Sequence, residues 1–159
     1  TFKTLSEISK ATFGAGCFWG IEYSFNKVPG VLEAPVGYSG GSLENPTYQQ
    51  VCSGQTGHAE VVQVKFDPNK VSFQELLEVF WNIHDPTTLN RQGPDVGTQY
   101  RSAILFHSQE QETLARKSVQ YLTEQKRFSN PIVTEITPID VFYLGEEYHL
   151  RYFEKQGRH

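Results

Sequence analysis

A cysteine between glycines, a glutamate on an apolar strand face and two loop tyrosines are the groups in this chain best able to act together chemically. Cys17 lies in Gly14-Ala15-Gly16-Cys17-Phe18-Trp19-Gly20, after the β-prone Ala11-Thr12-Phe13 and at the start of a helical pattern. The thiolate is the reactive form of cysteine, and a helix N-terminus can lower a thiol pKa from about 8.5 into the range of roughly 3.5 to 7.5. Free cysteine is also among the residue types most often buried for packing alone. The flanking glycines and the adjacent helix start favour the reactive reading. Phe18 and Trp19 beside it offer an aromatic wall suited to a small sulfur-bearing or methyl group rather than to a phosphate.

Glu60 falls with Val62, Val64 and Phe66 on one face of the alternating stretch Ala59 to Phe66. A carboxyl on an apolar face is partly desolvated, which raises its pKa and lets it keep a proton near neutrality. A hydrated glutamate at the strand rim stands beside that reading as its plain alternative. Tyr48 and Tyr100 lie in or at the end of two long loops, where a phenol can present its hydroxyl over an apolar pocket or simply pack. Asp95, in the second loop, reads by itself as a turn residue. The histidines form no i, i+4 pair, and the separation of Cys17 from Cys52 fits neither a zinc site nor a Cys-x-x-Cys redox pair, so no metal is expected. The glycines around Cys17 have the wrong spacing for a dinucleotide motif and lack the Lys-Ser/Thr of a phosphate loop.

Positioning these groups falls to a βαβ, βαβ order. Helical spacing runs from Phe18 to about Lys27 and is stopped by Val28-Pro29-Gly30; Val31 to Tyr38 reads as one strand leading into a Gly-, Ser- and Thr-rich connection as far as Gly57. Ser72 with Glu75 predicts a capped helix to about His84, and Asp85 to Arg101 is a long connection of the kind a compact domain keeps for function. Ser102 to His107 reads as a short buried strand, Ser108 with Gln111 as the cap of a further helix, and Ile132 to Ile139 as a last strand; from Asp140 no period is clear. The expected fold is α+β, a two-layer α/β sandwich with a mixed sheet and a ferredoxin-like core. One domain, 1–159, is expected, long enough to bury a core without disulfides or metal.

A formal net charge of -4 argues against a sequence-independent grip on nucleic acid or anionic lipid, and the basic tail Arg151 to Arg158 is too short to reverse that. No apolar run reaches a membrane span, and the first residues lack a signal-peptide core, so a soluble, cytoplasmic protein is expected; a monomer is the expected state. From the residues alone three function classes stay open: sulfur redox chemistry, a cysteine hydrolase with His58 as base, and a non-catalytic module whose aromatic pocket binds oxidised peptides.

Gly16-Cys17-Phe18-Trp19-Gly20, Gly37-Tyr38-Ser39-Gly40-Gly41, Gly57-His58-Ala59-Glu60, His84-Asp85-Pro86 and Gly97-Thr98-Gln99-Tyr100-Arg101-Ser102 closely resemble the motifs of the A-type peptide methionine sulfoxide reductases. The resemblance spans nearly the whole chain. It implies that Cys17 attacks the sulfoxide sulfur, Glu60 donates a proton to the oxygen, and the hydroxyls of Tyr48 and Tyr100 hold that oxygen. Phe18 and Trp19 would enclose the methyl group, and Asp95 matches a position near bound substrate. It further implies action on the S epimer, free or within peptides and proteins, a Cys17 sulfenic acid, no bound cofactor, and recycling by an external thiol such as thioredoxin, glutaredoxin with glutathione, or dithiothreitol. Most members resolve the sulfenic acid with a cysteine in a C-terminal tail; this sequence ends at Arg158-His159 without one, leaving Cys52 as the internal alternative. Many relatives carry a cysteine at that position without a resolving role, so direct attack by the external thiol is the expectation.

Overall fold

The computed structural model describes residues 8–16 and 18–146. Cys17 and the basic tail lie outside the described residues. The elements are β1 (Ser9–Ala15), α1 (Phe18–Asn26), β2 (Val31–Glu33), β3 (Val36–Ser39), α2 (Tyr48–Cys52), β4 (Ala59–Phe66), α3 (Phe73–Ile83), β5 (Arg91–Gln92), β6 (Asp95–Val96), a 3-10 turn (Thr98–Tyr100), β7 (Ser102–Phe106), α4 (Gln109–Glu124), β8 (Glu135–Pro138) and β9 (Tyr143–Leu144).

The main sheet runs β8-β7-β1-β4-β3-β9, with β2 also on β4, and only the β7–β8 pair is parallel. Its inner order β7-β1-β4-β3, with α1 after β1 and α3 after β4, is the ferredoxin-like arrangement expected, and β8 extends it beyond β7. The principal core lies on one face: Phe13 of β1 stacks with Phe25 of α1 and with Phe73 and Phe80 of α3 at 5.1 to 6.0 Å. Each ring buried there contributes roughly 1.5–3 kcal/mol of apolar transfer. The opposite face carries a small cluster of Ala59, Val61, Ala103 and Leu105, over which Ile139 and Phe142 pack. Alternation along β4 therefore sends Val61 to that cluster and Glu60 toward the helices.

Local signals explain most boundaries. Ser72 accepts from the Glu75 amide at 3.1 Å while the Glu75 carboxylate accepts from the Ser72 amide at 3.4 Å, a complete capping box. At α4 only half of that device forms. Ser108 accepts from the Gln111 amide at 3.2 Å, but the Gln111 side chain instead accepts from His107 N and donates to Lys10 O at 2.7 Å, so it ties the helix to β1. Two expectations need correction. The stretch from Val31 to Tyr38 is two strands, because the register on β4 shifts and Pro35 offers no amide; its carbonyl accepts from Gln63. The connection before Gly57 also holds α2, started by Thr47 and Gln50 in a reciprocal capping box.

Candidate active site

Between β1 and α1 the chain turns at Gly16, whose φ of +98° suits glycine, and a Cβ there would meet the Gln92 side chain at 3.0 Å. Cys17 follows in sequence, and α1 begins at Phe18. The Phe18 N–H, one of the orphan donors of a helix start, donates to Oε1 of Glu60 at 3.3 Å. Glu60 is fully buried, and its Oε2 has no partner among the described residues. Burial pushes its pKa up to about 8, the Phe18 amide opposes that rise, and the charge of Asp95 adds to it. The rim alternative for Glu60 is thereby removed: it is a buried carboxyl that holds its proton at neutrality, one oxygen fixed and the other uncommitted.

Tyr48 is the first residue of α2, and its ring stacks at 6.1 Å on Phe18 and 6.5 Å on Trp19. Desolvation, the Cys52 thiol and then the Glu60 charge push its phenol far above the ordinary value, so it stays a neutral hydroxyl. Tyr100 ends the 3-10 turn and acts electrostatically on Tyr48. Phe18 is fully buried and also contacts Tyr38 at 5.6 Å, so it backs the site from beneath, whereas Trp19 is half-buried. Asp95, in β6, is close enough to Glu60 for its charge to be felt there. Glu60, Tyr48, Tyr100, Phe18, Trp19 and Asp95, drawn from five separate segments, thus converge next to the sequence position of Cys17.

Several residues that hold this arrangement carried no role in the sequence reading. Arg101 donates to Thr98 O and Gly57 O, each at 2.9 Å, and to Glu135 at 3.1 Å, joining the Tyr100 turn to the segment before Glu60 and to β8. Glu146 accepts from the Tyr38 hydroxyl at 3.0 Å and from the Tyr48 amide at 3.2 Å. Gln92 bridges to both the N–H and the C=O of Asp85, closing the long second loop on itself. Arg101 stood inside a motif and was legible as a candidate; the partners of Glu146 and Gln92 are too distant in sequence for any local pattern.

His58 receives the Gly41 N–H on Nδ1 at 3.0 Å and donates from Nε2 to Leu43 O at 2.7 Å, with Tyr143 edge-on to its ring. Both ring nitrogens are engaged, which removes the general base that a cysteine hydrolase would need. Gly41 must be glycine for this contact, since a Cβ would lie 2.4 Å from His58 N and from Thr56 O. Among the described residues no group of His, Cys, Asp and Glu could hold a metal ion, and no helix is long and apolar enough to cross a membrane.

A ferredoxin-like sheet with a proton-holding carboxyl capping the helix after a cysteine fits the α+β thiol oxidoreductases. The family model for peptide methionine sulfoxide reductase matches residues 9–159. The peptide methionine sulfoxide reductase MsrA of Methanothermobacter thermautotrophicus is 62% identical over 97% of this chain and 91% of its own length. Reduced Mxr1 from Saccharomyces cerevisiae superposes with a TM-score of 0.91 at 37% identity, covering 99% of this chain and 91% of that one. Mxr1 in complex with Trx2 aligns with a TM-score of 0.67 at 28% identity over 94% of this chain and 88% of that one. The chain belongs to the peptide methionine sulfoxide reductase family, enzymes that return oxidised methionine to methionine.

Proposed function

We propose that this chain, as a single catalytic domain over 1–159, reduces the S epimer of methionine sulfoxide, free or within proteins, with Cys17 as nucleophile and Glu60 as acid. The observation that carries the reading is Oε2 of the buried, proton-holding Glu60, which has no partner among the described residues and lies beside the amide that follows Cys17. A sulfoxide oxygen departs poorly unless protonated. The Oε1 of Glu60 is fixed by the Phe18 N–H, so its proton belongs on Oε2, free to meet an oxygen brought by substrate.

In this reaction Cys17 attacks the sulfoxide sulfur while the hydroxyls of Tyr48 and Tyr100 donate to the oxygen and Glu60 protonates it. The oxygen ends on Cys17 as a sulfenic acid and the thioether of methionine leaves, so thiol plus sulfoxide gives sulfenic acid plus thioether. Trp19, with Phe18 behind it, encloses the substrate methyl, and Asp95 keeps the Glu60 proton in place by its charge. A thioredoxin-class dithiol regenerates the enzyme, a reading supported by the likeness to Mxr1 solved with Trx2; glutaredoxin with glutathione, or dithiothreitol in vitro, would serve the same chemistry. No bound cofactor enters the scheme. The proposed setting is a cytoplasmic monomer.

The test is one turnover without reductant. Reduced protein mixed with the S epimer should release about one equivalent of methionine per chain, and Cys17→Ser should release none; normal release by that variant would refute the assignment.

A further inference from the structure

Glu146 takes no part in the proton and sulfur chemistry, yet its carboxylate lies where two segments of the site meet. Oε1 accepts from the Tyr38 hydroxyl at 3.0 Å and Oε2 from the Tyr48 N–H at 3.2 Å, so its two oxygens serve different elements, β3 and α2. Thr47 caps α2 by accepting from the Gln50 amide, which leaves the Tyr48 amide among the orphan donors of the helix start. Glu146 satisfies it from 98 residues away.

The place of Glu146 is itself fixed by β3. The Gly145 N–H donates to Val36 O at 2.8 Å, and β9 pairs on β3 with Leu144 opposite Gly37 and Tyr143 opposite Tyr38. The two strands approach so closely that a Cβ on Gly37 would collide with Tyr143 O. At the other end of the contact, α2 has only five residues, too few internal hydrogen bonds to hold its own orientation, so tertiary contacts must set it. These include Glu146 on its first amide and the stacking of the Tyr48 ring on Phe18 at 6.1 Å and Trp19 at 6.5 Å. Fully buried Tyr38 packs on Phe18 too, at 5.6 Å. Phe18, whose N–H is bound to Glu60, thus meets two tyrosines that a single carboxylate ties together.

We propose that Glu146 is a positioning residue for the reduction: it seats Tyr48, and through Tyr48 the hydroxyl that holds the sulfoxide oxygen. The inference rests on the role proposed above for Tyr48. A donor helps only while it stays within hydrogen-bond reach of the oxygen on which charge develops, and a misplacement of about 1 Å can cost on the order of 10²-fold in rate. Removing the carboxylate strips the Tyr48 amide and the Tyr38 hydroxyl of the acceptor they share, and α2 is then free to shift over Phe18. The loss falls on the chemical step more than on capture of substrate.

The experiment follows methionine formation in a single turnover of the full chain with the free S epimer, read as the rate at saturation and as the half-saturating concentration. The unsubstituted protein, Glu146→Ala, Tyr48→Phe and the double variant form a cycle. Glu146→Ala should lower the saturated rate roughly tenfold and move the half-saturating concentration less than about threefold. In the Tyr48→Phe background the same change should cost less than about twofold, because the hydroxyl it positions is already gone. Glu146→Gln can turn its Oε1 to the Tyr48 amide and donate from Nε2 to the Tyr38 oxygen, so it should recover most of the lost rate. If Glu146→Ala does not fold, Glu146→Asp, a methylene shorter and unable to span both partners, carries the same comparison. Equal losses in the two backgrounds, or a saturated rate within about twofold of the unsubstituted protein, would overturn the inference and leave the parent function standing. No methionine from the unsubstituted protein, or a full rate in Tyr48→Phe, would overturn the parent reading and this inference with it.

Discussion

The Phe18 N–H donates to Oε1 of Glu60 at 3.3 Å, so the buried carboxyl, its pKa pushed up to about 8, also caps the first turn of α1. One hydrogen bond thereby joins the start of α1 to β4. Oε2 of the same carboxyl is buried with no partner among the described residues, so the proposed acid keeps one oxygen available to substrate.

Glu60→Gln keeps an acceptor for Phe18 but has no proton to give, and its rate is expected to fall by about 10²–10⁴, the usual contribution of a general acid. With a folded pKa raised to about 8, activity that needs the acid form is retained below that value and declines as pH rises through it. The alkaline limb of a pH–rate profile should therefore disappear in the variant. Stability follows the same sign: between the ordinary value of 4.5 and about 8 the native state holds a proton that the unfolded chain has released, so the wild type should lose thermal stability relative to Glu60→Gln as pH rises across that window. Parallel profiles and parallel melting curves would contradict the assignment.

Tyr48→Phe and Tyr100→Phe each remove one hydroxyl and leave the ring in place. A single oxygen-site donor is worth up to about 10²–10³ in turnover, and with two sharing the load each variant is expected to lose roughly one to two orders of magnitude in kcat with a smaller change in KM. The double variant should lose less than the product of the two, since both hydroxyls act on one oxygen. Steady-state kinetics on free methionine sulfoxide decides this, and an unchanged kcat in both single variants would remove the tyrosines from the chemistry.

Arg101→Ala cuts three hydrogen bonds, the ion pair with Glu135 and the two bonds to the carbonyls of Thr98 and Gly57. The ion pair with Glu135 is partly exposed and the two carbonyls are part-buried or exposed, so the expected loss is roughly 1–2 kcal/mol, shared among the three bonds. Because Arg101 acts through Tyr100, kcat should fall even at saturating substrate. Arg101→Lys, which cannot reach both carbonyls with a planar fork, should rescue stability better than activity. Denaturant melts alongside kinetics separate the two.

His84 is held neutral by burial, with its pKa lowered to about 4, despite help to the charged form from Phe80 O and Asp85. Its Nδ1–H donates to Phe80 O, leaving Nε2 to accept from Ser102 at 2.7 Å, which in turn meets Thr134. The unfolded chain binds a proton that the native state refuses between about 6.5 and 4, so this contribution is present above pH 6.5 and is lost as pH falls through that window. Urea titrations should show a decline of roughly 3 kcal/mol there, absent in a variant such as His84→Gln.

Gly41→Ala places a methyl 2.4 Å from both His58 N and Thr56 O, so backbone must move. Loss of the His58 staple should loosen the segment carrying α2 and lower activity more than global stability, readable as faster amide exchange over residues 40–57. Unchanged exchange there would show that the contact is tolerant.

Local chemistry is what the sequence determined. The cysteine at a strand-to-helix junction, the face on which Glu60 lies, the Ser72 capping box and the βαβ order are each written in neighbouring residues, because side-chain alternation and cap geometry have short range. The five quoted motifs sufficed to identify the family. The fold alone decided which distant groups meet. Phe18 and Glu60 touch only because β4 pairs beside β1, and Tyr48 is held by Glu146 from nearly a hundred residues away, on a helix hidden in a glycine- and serine-rich stretch. The pKa of Glu60 belongs to the same category, since desolvation depends on what surrounds a carboxyl in space and not on what flanks it along the chain.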